Sequence, residues 1–558
     1  MGEILTAAQM RAKEKSIMDS GAASGLELME RAGRGVVDAA IRAMGDLTSC
    51  NHHAVVLCGP GNNGGDGFVI ARTLSEMGWT VEVFFWGKAD ALSDDARHMH
   101  DLWAALGEIR PMTAEAAGQG ARPTFLFDAM FGIGISRPIP IDCARAFEAV
   151  TKRQTDDGAK RCFVVAVDCP SGLDVDSGEV LVPALEEDAD DEAVMAYFPE
   201  TVRPRLLPLH TDICVTFHAL KMGHCLTEVS DLAPALVDIG LDTDAAAQVP
   251  IPAGGPTVQV PPPELPAKAW VRAVTAIGAG GLKYDRGHAL ILGGGVGKGG
   301  AARMAARAAL RVGAGLVTLA VPPEAVPENA AQLNAIMLSE VADAKALATM
   351  LEDDRLSAIC MGPGLGVGQR TRDLVLTALR MTAEDGRRVI LDADALGSFA
   401  DAPEDLFKAC HDGVTITPHE GEFARLFPDL GQRVRRSDPS KPAMGKVEAT
   451  LRAAERLGAT VLLKGEATVL ADHRGASAIH SALYDRKAPW LGTAGAGDVL
   501  AGLITGLSTA QMAQISHAID LAAVAAWLHV ECARSFGPGL IAEDLPEQLP
   551  MVFRELGF

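Results

Sequence analysis

Short apolar runs, each closing on Gly, Asp or Asn, alternate with Ala/Leu/Arg-rich stretches along almost the whole chain. No other feature restricts the fold as much. Apolar runs of about 4–8 residues between turn residues form strands buried on both faces. The longer periodic stretches between them supply the crossover helices of a parallel sheet. In the first half a helical region Ala8–Met44 leads to expected strands at Ala54–Cys58, Val81–Trp86, Phe125–Phe127, Phe163–Val167 and Ile213–Phe217, with a helix from Phe68. Asp242–Ala267 is rich in Pro, Gly and Ala, lacks periodicity, and reads as a linker. The alternation then restarts, with strands expected near Ala289–Leu292, Leu316–Ala320, Ala358–Met361, Val389–Leu391, Val414–Ile416 and Thr460–Leu463. Two α/β domains follow, as a length of 558 residues also suggests, because one core seldom grows that large. Val180–Pro208, with Glu186, Glu187, Asp188, Asp190, Asp191 and Glu192, reads as an acidic surface insertion.

A formal charge of −22 argues against nucleic acid or an anionic membrane as partner. It leaves anionic ligands open, because backbone amides at helix starts bind phosphate whatever the global sign. The 10 cysteines include no C-x-x-C pair and read as reduced thiols, not as zinc ligands or a disulfide framework. Met1–Lys15 has no apolar core of a signal peptide and no run is long enough to span a bilayer, so a cytoplasmic location is expected.

Gly495-Ala496-Gly497-Asp498, before a helix expected to begin near Val499, carries the clearest chemistry. A glycine-rich turn at a helix start aims unpaired N–H groups at one point, where a phosphate can sit. Asp498 in the same turn can take a proton from a hydroxyl beside that phosphate. Upstream, Gly293–Gly300 follows a strand but is not a Walker A loop, since Leu292 and Gly299 stand where that motif needs Gly and Ser or Thr. Its glycines admit a ligand or a neighbouring helix equally well. Further strand ends carry Gly362–Gly366, Asp392-Ala393-Asp394, Thr417-Pro418-His419-Glu420 and Lys464–Thr468.

The first half has its own glycine loop, Gly59–Gly67, directly after Ala54–Cys58. Gly59, Gly61 and Gly64 match the dinucleotide-binding G-x-G-x-x-G pattern, but Asn62, Asn63 and Asp66 suit hydroxyls, amides or a hard cation better than a pyrophosphate. A tight strand-to-helix turn with no ligand is the alternative. Phe125–Asp128 and Val165–Asp168 also end on aspartate, and in a parallel sheet such ends line the ligand crevice. One such aspartate can be a helix cap; several together point to a site.

In order, GNNGGDG (Gly61–Gly67), FDAMFGIG (Phe127–Gly134), VDCPSGLD (Val167–Asp174) and TFHALKMGH (Thr216–His224) closely resemble the epimerase domain of NAD(P)H-hydrate repair enzymes. Leu28–Gly33 fits that family's leading helix. The resemblance implies a Rossmann-like αβα sandwich over residues 1–241. It implies that Asn62, Asn63, Gly64, Gly65 and Asp66, with Gly132, Ile133, Gly134, Ile135, Ser136, Arg137 and Pro138, hold the hydrated nucleotide, NADHX or NADPHX. Asn63, Asp128 and Ser171 would ligate potassium, and Asp168 would contact the reacting ring. Partly buried and with a raised pKa, Asp168 could shuttle the proton of the hydrate hydroxyl. Lys221 and His218 are weaker candidates, and Cys169 stands where the family usually has an aliphatic residue.

After a linker at 242–267, residues 268–558 resemble the ribokinase-like fold and, within it, the ADP-dependent NAD(P)H-hydrate dehydratase domain. That implies substrate contacts from Ala301, Gly364, Gly366, His419 and Asp498, and a nucleotide site of Lys464, Gly465, Glu466, Ala467, Thr468 and Gly497. Magnesium and ADP would take part, with AMP and phosphate as products. A homo-oligomer is expected, with neither nucleic acid nor membrane as partner. The rival reading is a vitamin-pathway small-molecule kinase with an N-terminal nucleotide-binding regulatory module, which shares the GAGD turn.

Overall fold

The computed structural model describes residues 3–45, 47, 50–153, 162–181, 210–241, 257–259, 283–434, 444–509 and 517–557. The acidic insertion beyond Leu181 and the linker, except the backbone of Thr257–Gln259, lie outside those residues. The chain divides into two compact units, Ile4–Gly255 and Pro256–Phe558, the latter grouped with Met1–Glu3.

In the first unit a 7-stranded sheet runs in the order Ala235–Val237, Ile213–Phe217, Phe163–Val167, Phe125–Ala129, His53–Cys58, Thr80–Phe85, Ile109–Pro111. Every neighbouring pair is parallel. Period-two alternation assigns the faces. Ala54, Val56 and Cys58 join the core under helices Gly25–Met44 and Asn62–Glu76, whereas Val55 and Leu57 join the core under helix Ile141–Thr151. The result is an αβα sandwich. From His53–Cys58 the chain first builds one side of the sheet, then crosses over to build the other from Phe125–Ala129. That reversal opens a crevice at the carboxyl ends of these two strands.

The helical region expected at Ala8–Met44 consists of two helices, Ala7–Ser20 and Gly25–Met44. Gly21 ends the first in a left-handed conformation, and Ser24 starts the second in a capping box with Glu27. Ile4 and Leu5, ahead of the first helix, pair in parallel with Leu220 and Lys221. The short strands Ile109–Pro111 and Ala235–Val237 were not apparent, because three residues show no period.

In the second unit the strands run Thr257–Gln259, Ala476–Ser481, Ala467–Ala471, Thr460–Leu463, Val414–Ile416, Arg388–Leu391, Leu356–Met361, His288–Leu292, Leu316–Val321, Met337–Glu340. Ala467–Ala471 is antiparallel to both of its neighbours, and the strands from Thr460–Leu463 onward are parallel. Ala289 and Ile291 face helices Gly299–Val312, Ala496–Leu507 and Ala518–Phe536, while Leu290 and Leu292 face Gln369–Thr382 and Lys446–Leu457. This is again a sheet with helices on both faces. No helix among the described residues is long and apolar enough to cross a membrane.

Candidate active sites

At the crevice of the first unit lies a cavity of about 1110 Å³, walled by Asn62, Asn63, Asp66, Gly132–Pro140 and Asp168 among others. Of the expected loop Gly59–Gly67, the part from Asn62 onward is already the start of helix Asn62–Glu76. Gly64 allows that start to touch the strand end, because a Cβ there would drive into the Gly59 carbonyl. Gly65 turns to Met29, so Gly64 and Gly65 shape the wall from behind and do not line it. Asn62 Oδ1 accepts a hydrogen bond from Ser93 Oγ at 2.7 Å. Asn63 is buried, its side chain faces Gly132, and neither its Oδ1 nor its Nδ2 has a partner. A buried amide left unpaired costs about 1–3 kcal/mol, which marks this one as awaiting a ligand.

Asp128 is fully buried and accepts from Ser171 N (2.8 Å), Ser171 Oγ (2.6 Å) and Met130 N (3.3 Å). Ser171 Oγ in turn accepts from Phe131 N at 2.9 Å, tying the Gly132–Pro138 segment to the same corner. Burial raises the Asp128 carboxyl to about 6 despite these donors.

Asp168 follows Phe163–Val167 with φ 64, a conformation that non-glycine residues rarely adopt. Its Oδ1 accepts from Thr216 Oγ1 at 2.9 Å and from Lys221 Nζ at 3.0 Å. Lys221 is fully buried and spends its other donors on Thr216 Oγ1 (2.7 Å) and the Phe217 carbonyl (3.1 Å). The raised pKa expected for Asp168 is therefore corrected. Burial pushes it up, but the Lys221 charge and hydrogen bond outweigh that and hold the carboxyl below its ordinary value. The groups pushed up are Asp66, by burial and by the charges of Asp168 and Glu14, and Glu14, raised to about 7 mainly by burial. Lys221, a weaker candidate by sequence, is thus the partner that sets the charge of the site. His218 is half-buried at φ 60 and is not part of the cavity wall. The Cys169 thiol is buried and pushed well up by burial, which leaves it inert.

In the second unit, Gly495 at φ 93 turns the chain into helix Ala496–Leu507, a conformation glycine takes without strain. Asp498 lies in the first turn, raised to about 6 by burial and the Asp392 charge, with Lys464 opposing. Asp392 is buried at a strand end, where its Oδ1 accepts from Lys464 Nζ (2.6 Å) and Thr417 Oγ1 (2.8 Å). A Cβ on Gly497 would lie 3.4 Å from Lys464 Nζ, so Lys464, Gly497, Asp498 and Asp392 form one cluster. Ala393 takes φ 45 at this corner, and Asp394 Oδ2 accepts from Gly366 N at 2.8 Å. Gly364 lies against both Gly294 and Ala301, joining the two glycine segments.

His419 caps helix Glu420–Leu426, with Nδ1 accepting from Gly421 N (2.9 Å) and Glu422 N (3.4 Å). That assignment places the ring proton on Nε2 of a side chain that is 55% exposed. Gly465 and Glu466 are exposed at the turn after Thr460–Leu463. The Ala467 carbonyl accepts from Lys446 Nζ at 2.9 Å, and Thr468 Oγ1 donates to the Gly465 carbonyl at 3.0 Å. Asp392, Asp394 and Thr417 were visible as strand-end residues, but their pairing with Lys464 and the glycine segments was not.

A family model described as NAD(P)H-hydrate dehydratase matches residues 289–549, and one described as YjeF-related protein N-terminus matches residues 25–223. The bifunctional NAD(P)H-hydrate repair enzyme Nnr of Salinibacter ruber is 32% identical over 99% of this chain and 96% of its own length. The NAD(P)H-hydrate epimerase of Rhodobacter capsulatus is 38% identical over 43% of this chain and its full length. Among solved structures, the ADP/ATP-dependent NAD(P)H-hydrate dehydratase of Bacillus subtilis, crystallised with ATP and Mg2+, is 25% identical. It is similar over 54% of this chain and 99% of its own, with a TM-score of 0.42.

Proposed function

The chain belongs to the family of bifunctional NAD(P)H-hydrate repair enzymes, and from that premise we propose how its residues divide the work. Residues 1–241 carry the epimerase and 268–558 the dehydratase, joined by 242–267. The hydrate bears a hydroxyl on the carbon next to the ring nitrogen. Loss of that hydroxyl, pushed by the nitrogen lone pair, gives a planar cation that water re-enters from either face.

In the epimerase, the cavity takes the nicotinamide nucleotide against Asn62, Asp66 and Gly132–Pro138, with Gly64 and Gly65 supporting the wall. Asp168, ionised beside Lys221, stabilises the cation and accepts the proton of the returning water. Asn63, Asp128 and Ser171 fit potassium, because Asn63 Oδ1 is unpartnered and Asp128 is a fully buried carboxylate. The ion would supply the positive charge that a buried Asp128 carboxylate lacks. Potassium at matched ionic strength is therefore expected to stabilise the wild type by about 2.7 kcal/mol at a hundredfold excess over Kd, and so to raise its unfolding temperature. Asn63→Leu should lose that shift; a shift as large as the wild type's would remove Asn63 from the ligand set.

In the dehydratase, ADP takes the place of a kinase's ATP, with its phosphates on the Gly495–Gly497 amides and Lys464, and with Gly465, Glu466, Ala467 and Thr468 beside the nucleoside. Ala301, Gly364, Gly366 and His419 flank the hydrate. Asp498 accepts the hydroxyl proton as the oxygen attacks the β-phosphoryl group, and AMP departs. The charges of Asp392 and Asp394 act on Asp498, and magnesium bound to the phosphates would neutralise charge on the transferring group. The nitrogen lone pair then expels phosphate, a far better leaving group than hydroxide, and loss of a proton from the ring carbon beside the resulting C=N+ bond restores NADH or NADPH.

The observation that carries this reading is the cluster of Lys464, Gly497 and Asp498 at a helix start, in a chain whose other half holds the Asp168–Lys221 cavity. A kinase needs only the cluster. The test mixes both NADH-hydrate epimers with protein and magnesium, and follows reduced-nicotinamide absorbance with ADP, ATP or neither. Recovery with one AMP and one phosphate formed per NADH is expected. Recovery without any nucleotide sinks the coupled phosphoryl transfer.

A further inference from the structure

Departure of the hydrate hydroxyl needs a proton, and Asp168 is poorly placed to give one. Its carboxylate is held by Lys221 and Thr216 in the ionised state. The other ionisable side chains in the cavity wall are Arg11, Glu14, Asp66, Asp95 and Arg137. A guanidinium is too weak an acid for this role. Asp95 sits in the first turn of helix Asp94–Ala104, beside Gly25. Asp66 is buried in the opening turns of helix Asn62–Glu76, where the reading above sets it against the nucleotide.

Glu14 differs from all of these. It lies on helix Ala7–Ser20, which the pairing of Ile4 and Leu5 with Leu220 and Lys221 attaches to the same strand end that carries the lysine. Its side chain reaches the cavity while the residue remains partly exposed. The charged groups facing it are Asp168 and Asp66, which disfavour its anion, and Lys221 and Arg11, which favour it.

We propose that Glu14 is the general acid of the epimerase, an assignment that rests on the reading of the Asp168 cavity given above. The C–O bond breaks with its electron pair going to oxygen, the Glu14 proton completes a water, and the ring nitrogen forms the C=N+ bond. Water then adds to the other face and gives its proton to Asp168, which passes it to solvent. Glu14 regains a proton from solvent, so none is consumed. In the reverse reaction Asp168 first takes a proton from solvent and gives it to the departing hydroxyl, and Glu14 accepts the proton of the returning water. Burial raises Glu14 to about 7, so both forms are populated near neutrality and the group can cycle.

The test uses the full chain and purified R epimer without nucleotide, and follows R-to-S conversion between pH 5 and 9. Wild-type kcat should fall above about pH 7 as Glu14 loses its proton. Glu14→Gln should slow epimerisation about 100-fold, abolish that alkaline limb, and leave ADP-driven recovery from the S epimer unchanged. Glu14→Asp should restore part of the rate together with a limb. Wild-type rate in Glu14→Gln, or an unchanged limb, overturns the proposal while Asp168→Asn can still be inactive and the site reading intact. Equal loss in Glu14→Gln and Glu14→Asp, with the unfolding temperature lowered in both, overturns it in favour of a packing role. No epimerisation by the wild type overturns the proposal and the site reading together.

Discussion

Asp498→Asn is expected to lower ADP-driven recovery of the reduced cofactor by about 100- to 10,000-fold, leaving no recovery on the time scale of the wild-type reaction. Asn keeps the shape and the first-turn position of the side chain, so the GAGD turn and helix Ala496–Leu507 should stand. What disappears is the base. Asp498 is raised to about 6, so at neutral pH it remains mostly ionised and still binds a proton more firmly than an exposed aspartate. Asn has no such capacity. Epimerisation should be untouched, and ADP should bind with similar affinity, since Lys464 and the Gly497 amide remain. If ADP affinity falls while the rate constant at saturation holds, Asp498 acts in binding and not as base.

Asp168→Asn is expected to abolish epimerisation and to destabilise the first unit as well. The substitution leaves Lys221 buried with only Thr216 Oγ1 and the Phe217 carbonyl as partners. Removing one member of a buried ion pair costs about 3–5 kcal/mol. The Asp168 pKa is depressed in the folded state, so its stabilising contribution is present above the ordinary value of 3.8. That contribution fades as pH falls through the depressed value. The stability gap between wild type and variant should therefore be full at pH 7 and close in acid. Urea unfolding at the two pH values checks the sign. In turnover, the variant should consume the S epimer at the wild-type rate and leave the R epimer to slow spontaneous epimerisation. Consumption of both epimers at the wild-type rate would place the epimerase elsewhere.

What was legible in the sequence was local. A strand such as His53–Cys58 followed by Asn62-Asn63 and Asp66 fits within 14 residues, and Thr493 followed by Gly495–Asp498 within 6; such short turn-to-helix units set their own geometry. The break at Gly21–Ser24 was also local, with Ser24 and Glu27 at capping-box spacing, but the apolar periodicity on either side masked it. The charge states could not be read this way. Asp168 meets Lys221 only through the pairing of separate strand ends, and burial alone suggested a raised pKa where the lysine lowers it. Asp392 and Lys464 are 72 residues apart, and no spacing rule joins them. Glu14 has no motif at all; the parallel pairing of Ile4 and Leu5 delivers its helix to the cavity.

The most direct test of two sites sharing one repair reaction starts from pure R epimer with ADP and magnesium. Wild-type protein should restore reduced-nicotinamide absorbance promptly, and neither Asp168→Asn nor Asp498→Asn should do so alone. An equimolar mixture of the two variants should regain recovery, because each supplies the activity the other lacks. Prompt recovery by Asp168→Asn alone, or no gain from the mixture while each variant keeps its remaining activity, would contradict the account.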